Sequence, residues 1–187
     1  YVIVANPLKP RSSKKVTTTL VLLIWFSASL LAMPALIFSA TLSFEFMNGG
    51  TRTVCALLWP DGYATKSKMD YIYNIVLFVV TYAIPMISMG ITYSLMARIL
   101  WGSKQIGEMT VTQRISIRAK QKVIPMLIVV TVVFGICWLP YHLYFIYVYH
   151  NLHVTANEYI QHLYLGFYWL AMANSAFNPF IYGLLNK

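Results

Sequence analysis

Charge is what this sequence has least of: 10% of its 187 residues are Asp, Glu, Lys or Arg, while 59% are hydrophobic. A soluble domain carries roughly 25% charged residues, so lipid is the better match as solvent. Stretches 16–39, 71–97, 123–149 and 159–186 hold no Asp, Glu, Lys or Arg at all. Charges inside a bilayer persist mainly along ion or proton pathways, and their absence argues against a proton-coupled transporter or a cation channel. Also missing are the Ser/His pair, paired aspartates or His-Glu-x-x-His helix of an intramembrane protease. His150, His153 and His162 have no thiolate or carboxylate placed to complete a zinc site with them. No enzyme activity, metal or cofactor is expected. There is no Asn-x-Ser/Thr acceptor, no initiator Met and no signal peptide, and the chain reads as the C-terminal part of a longer protein.

Each uncharged stretch is at least as long as the ~20 helical residues that span a bilayer, and none shows the polar face of a globular helix. The expectation is an all-α membrane protein crossing four times. Lys and Arg collect on the cytoplasmic side of short connections. Segments 1–15 and 98–122, together with Lys187, hold eleven of the fourteen basic residues; segments 40–70 and 150–158 hold Arg52, Lys66 and Lys68 against Glu45, Asp61, Asp70 and Glu158. The first two are therefore read as cytosolic, with both chain ends inside, and the other two as extracellular. The formal charge of +9 is then a topology signal and not a sign of nucleic-acid binding. The basic loops also suit anionic membrane lipid.

Only two cysteines are present. Cys55 falls in the long outer loop and Cys137 roughly 18 Å below the outer end of the third span at 1.5 Å per residue, too far apart to pair. Cys55 has either a partner elsewhere or a free thiol.

Each span carries one deep proline: Pro34, Pro85, Pro140 and Pro179. A proline removes a helical hydrogen bond and crowds the carbonyl four residues back, and membrane helices accept this where neighbours satisfy the freed group. Four such sites suggest pivots. In the third span Phe134, Trp138, His142 and Phe145, with Tyr141 adjacent, recur every three to four residues on one face around Pro140. Aromatic packing accounts for the phenylalanines, but a buried imidazole calls for a hydrogen-bond partner. The fourth span has a stripe of Tyr164, Tyr168, Ala171, Ser175, Asn178 and Tyr182, joined by Asn174. Unpaired buried amides and hydroxyls cost about 1 to 3 kcal/mol each, so this stripe is expected to face protein or water.

At these residues the sequence resembles rhodopsin-like (class A) G-protein-coupled receptors. Trp25 with Pro34 is similar to the family's fourth helix, and Pro85 with Tyr93 to its fifth. Phe134 followed by Cys137, Trp138, Leu139 and Pro140 is similar to the sixth. Asn174, Ser175, Asn178, Pro179 and Tyr182 resemble the seventh-helix Asn-Pro-x-x-Tyr motif. Tyr1 then stands at the tyrosine of the family's Asp-Arg-Tyr motif, with Pro7 in the loop after it. The resemblance makes the chain helices four to seven of a seven-helix bundle. Within the family the closest likeness is to tachykinin (neurokinin) receptors, through 54–60, 138–145, 160–165 and 169–172. An opsin would have a lysine where Met172 stands. Amine receptors usually place serines where this chain has Leu77, Phe78 and Thr81.

The resemblance implies an extracellular peptide ligand, a cytosolic heterotrimeric G protein and a plasma-membrane location. It implies that Cys55 is disulfide-bonded to a third-helix cysteine outside this sequence. It implies that Asn74, Tyr141, His142 and Tyr164 line the ligand pocket, that Phe134, Trp138 and Pro140 relay agonist binding, and that Tyr93, Asn178, Pro179 and Tyr182 belong to the inner end of the relay. The inner loop, 97–122, would meet the G protein. Asn74 departs from the histidine often found there in tachykinin receptors. Pro125 departs from a basic residue: it is harmless in a first helical turn, but marks a second kink if the helix reaches back through Arg118.

Overall fold

The computed structural model describes residues 13–45, 49–63, 66–102, 111–157 and 159–185. Most of the inner segment 1–15, including Tyr1 and Pro7, lies outside the described residues, as do the middle of 98–122, Glu158 and residues 186–187.

Helix α1, Lys14–Phe38, starts at Ser13, whose hydroxyl accepts from the Val16 amide at 3.4 Å, as an N-cap residue does. It ends where Ser39 turns extended and strand β1, Ser39–Glu45, begins. Strand β2, Thr51–Trp59, returns antiparallel, with Thr41 opposite Cys55, and pairs at its far end with β3, Gly62–Tyr63. Strand β2 holds two Thr, a Val and a Trp, residues that fit a pleated surface. The two reversals use Gly49 at φ 78° and Gly62 at φ 130°, conformations open to glycine and strained for other residues. The segment 40–70, expected only as a loop, is thus largely an ordered hairpin.

Helix α2, Lys68–Leu77, runs into a π-helical turn, Phe78–Ala83, and then into α3, Ile84–Gly102. The widened turn has a cause in Pro85, which lacks an amide hydrogen. Just before it, the Ile84 amide reaches back five residues to the Val79 carbonyl, so the backbone shifts register ahead of the proline. Helix α4, Val111–His150, is 40 residues long, on the order of 60 Å. A 3-10 turn, Leu152–Ala156, leads to α5, Tyr159–Leu185.

Helical structure extends into 98–122 from both sides. Expected as a loop, the segment is helical up to Gly102 and again from Val111. Pro125 consequently sits about four turns inside α4, so of its two alternatives the interior position holds. Three helical stretches, Lys14–Phe38, Lys68–Ile99 and Val123–His150, are long and apolar enough to cross a membrane. The fourth, α5, has 27 residues without a charge, and its Tyr, Asn, Gln and His residues dilute its hydropathy.

Helix α4 packs against α2 and α3 on one side and α5 on the other. Tyr71 stacks on Tyr149 at 4.2 Å, Phe78 meets His142 at 5.6 Å, and Thr131 donates to the Met89 sulfur at 3.5 Å. That order is an antiparallel pairing, and it puts the hairpin and the 3-10 turn at the same end of the bundle.

Candidate aromatic site and its outer cover

The half of the bundle nearest the hairpin is an aromatic cluster built mainly by α4. Tyr141 directly follows Pro140 and contacts Trp138 at 5.9 Å, Phe145 at 5.2 Å, Tyr164 at 6.3 Å and Tyr168 at 6.5 Å. Helix α5 brings Tyr164 to it, with Tyr144 at 5.4 Å on the other side of that ring. Deeper in, Trp138 touches both His142 and Phe134 at 6.1 Å. Pairs at such separations gain about 0.5–1.5 kcal/mol beyond burial alone.

His142 is 9% exposed. Its ring is held among Phe78, Tyr82, Trp138 and Tyr141, at centroid distances of 5.6 to 6.1 Å, and it makes no hydrogen bond among the described residues. The expected polar partner is therefore replaced by ring faces. Tyr82 also stacks near Phe134 at 6.1 Å, and its hydroxyl donates to the Gly135 carbonyl at 3.0 Å.

Above the cluster, one hydrogen-bonded unit joins the hairpin to the start of α2. The Trp59 indole donates to Asp70 Oδ1 at 2.8 Å. Ser67, fully buried, caps the helix by accepting from the Asp70 amide at 2.9 Å, and its hydroxyl donates to Asp61. The other Asp61 oxygen accepts from the Met69 amide at 3.2 Å. The Ser67 hydroxyl and the Met69 amide hold the Asp61 carboxyl below its ordinary value, because both bonds favour the ionised form. The Trp59 ring lies 4.8 Å from Phe38 and 5.5 Å from Tyr73, whose hydroxyl donates to the Leu31 carbonyl at 2.9 Å. Helix α1, the hairpin and α2 thus converge on one indole.

Residues 1–182 match the model of the family described as 7 transmembrane receptor (rhodopsin family). The chain belongs to this family. It is a receptor-family protein and not an enzyme, and it passes through the plasma membrane more than once. Over all 187 residues the receptor is 49% identical to "Tachykinin-like peptides receptor 86C" of Drosophila melanogaster, covering 37% of that protein. It is 43% identical to "Tachykinin-like peptides receptor 99D" of the same organism, covering 36% of it. It is 39% identical to the human "Neuromedin-K receptor", covering 38%. The likeness to tachykinin receptors is therefore shown across the whole chain, and the chain spans little more than a third of the length of these relatives.

Among the receptor's expected site residues, Tyr141, His142, Tyr164, Trp138 and Phe134 come together in one cluster. Asn74 stands one turn above Phe78 and spends its amide on Asp70, donating to the backbone carbonyl at 2.9 Å and to Oδ2 at 3.0 Å. Tyr93, Asn178 and Tyr182 are not joined: among the described residues no hydrogen bond links them, and Tyr182 is exposed. The stripe on α5 is likewise only partly covered, with Ala171 buried and Tyr168 and Tyr182 open. Trp138 Nε1, Asn174 Oδ1 and Asn178 Oδ1 are buried without a hydrogen bond. Cys55 lies exposed on β2, and Cys137 is buried.

Read along the chain, Asp70 counts only as a loop charge and Phe78 only as a mismatch to amine receptors, while Trp59, Tyr73 and Tyr82 carry no role of their own. Signals for some of them were present. Trp59-Pro60-Asp61-Gly62 is a turn signature, and Ser67 with Asp70 marks a helix start.

Proposed function

We propose that this chain is the transmission part of a tachykinin-like neuropeptide receptor, in which an extracellular peptide binds the aromatic cluster and activates a cytosolic heterotrimeric G protein. The observation that carries this reading is the unbroken run of ring contacts from Tyr164 through Tyr141 and Trp138 to Phe134. It begins below the hairpin and ends well inside the helices, passing Pro140. Identity of 49% with a receptor named for tachykinin-like peptides supports the ligand class.

In this reading Asn74, Tyr141, His142 and Tyr164 line the peptide's pocket, and Trp138, Phe134 and Pro140 carry its effect inward. The inner ends of α3 and α4 then separate, with Tyr93, Asn178, Pro179 and Tyr182 rearranging to admit the G protein. A peptide shifts that equilibrium only by its greater affinity for the open state. Both ends of the chain are cytosolic, the spans are 16–39, 71–97, 123–149 and 159–186, and Cys55 forms a disulfide that holds the hairpin over the pocket. The basic inner segments lie against anionic lipid.

The test is to express the full-length receptor in cells and apply a panel of tachykinin peptides while following G-protein nucleotide exchange and calcium. At least one peptide is expected to give a saturable response. Silence to all of them, with surface expression confirmed, would sink the subfamily assignment.

A further inference from the structure

A carboxylate that is 8% exposed at the mouth of a membrane bundle requires donors, because a buried charge without them is costly. Asp70 takes one from the hairpin, the Trp59 indole, and one from the next turn of its own helix, the Asn74 amide. The second bond has a directional consequence. An ionised carboxylate only accepts, so Asn74 must turn its amide nitrogen toward Asp70, where that nitrogen also meets the Asp70 carbonyl. With its two hydrogens committed there, the group Asn74 can offer elsewhere is its carbonyl oxygen. Asp70, Asn74 and Phe78 follow one another at four-residue spacing on one helix face, and Phe78 touches His142 and Tyr82.

Resting on the receptor reading above, we propose that Asp70 is a positioning and specificity-setting residue: it pins the hairpin through Trp59 and turns Asn74 to present an acceptor to a hydrogen-bond donor of the peptide. The ligand feature selected is an N–H or O–H group at the level of Asn74, and a carbonyl placed there is disfavoured.

The test uses the full-length receptor, synthetic tachykinin peptides as probes, and surface level measured by an outside tag. Asp70→Asn keeps the shape but leaves one acceptor oxygen where the Trp59 indole and the Asn74 amide need two, and Trp59→Phe keeps a ring but removes the donor. Each is expected to shift the dose-response curve to the right by about tenfold, the loss typical of one charge-assisted hydrogen bond, with the maximal response unchanged. In an Asn74→Ala background Asp70→Asn is expected to shift the curve clearly less, because part of its effect runs through Asn74. Wild-type potency in both single variants overturns the proposal, as does failure of both to reach the surface, which assigns these residues to folding alone. Equal shifts by Asp70→Asn with and without Asn74 overturn the specificity role. If the wild type answers no peptide, the receptor reading fails separately. Hydrogen exchange of the purified protein then decides the clamp: faster exchange across 39–59 in Asp70→Asn supports it, and unchanged exchange overturns it.

Discussion

The Tyr82 hydroxyl donates to the Gly135 carbonyl across 3.0 Å, and beside this bond a Cβ on Gly135 would come within 2.8 Å of the Met86 terminal carbon. A side chain here fits only if the Met86 methyl end moves aside. The Met86 methyl end is flexible, so Gly135→Ala is expected to lower the stability of the full-length receptor by only about 1 kcal/mol, while Gly135→Leu costs about 3 kcal/mol or more by overpacking. Tyr82→Phe is expected to cost about 1 kcal/mol, the worth of one hydrogen bond. Thermal unfolding in detergent measures all three. A leucine variant as stable as the wild type would show that α3 and α4 do not approach this closely.

Trp138 links Tyr141 to Phe134, and Tyr182 lies near the C-terminal end of α5. Alanine at either position is expected to impair signalling more than surface expression, on the order of tenfold in potency, equivalent to ~1.4 kcal/mol in the two-state equilibrium. Unaltered peptide curves in both variants would remove the relay role.

Cys55 sits on the exposed side of β2, opposite Thr41. In intact receptor it is expected to be oxidised and to resist alkylation until a reductant is added. Rapid labelling of Cys55 in folded, unreduced protein would count directly against the disulfide.

The cap at the head of α2 is expected to be sensitive to acid. Because the Ser67 hydroxyl and the Met69 amide depress the Asp61 carboxyl below its ordinary 3.8, its contribution is present above that value and is lost as pH falls through the lower, folded value. Exchange of amides at 67–70 is therefore expected to be flat from neutral pH down to the ordinary aspartate range, after correction for intrinsic rates, and to rise in stronger acid. Asp61→Asn should remove the added rise. Ser67→Ala, which deletes the N-cap acceptor and one donor to Asp61, is expected to cost about 1 kcal/mol at neutral pH and less once Asp61 is protonated. A pH profile identical in wild type and Asp61→Asn would show that Asp61 does not hold the cap.

Much of the architecture was legible along the chain, because lipid imposes a constraint that acts residue by residue. A span must exclude charge and must be helical, so the four stretches, and the four prolines inside them, could be read in one dimension. The Trp138 face was legible for the same reason, since helical spacing alone brings Phe134, Trp138, Tyr141 and His142 onto neighbouring positions. Helix ends were less so. Polarity marks where lipid stops, but a helix continues into water wherever its own hydrogen bonds suffice, which is why α3 runs to Gly102 and α4 starts at Val111. What only the tertiary structure decided depends on groups distant in sequence meeting in space. Trp59 finds Asp70 only after the hairpin folds back, Tyr82 finds Gly135 only when two antiparallel helices pack, and His142 is housed by rings because Phe78 and Tyr82 arrive from across the interface. Periodicity places a side chain on a face, and packing decides what that face meets.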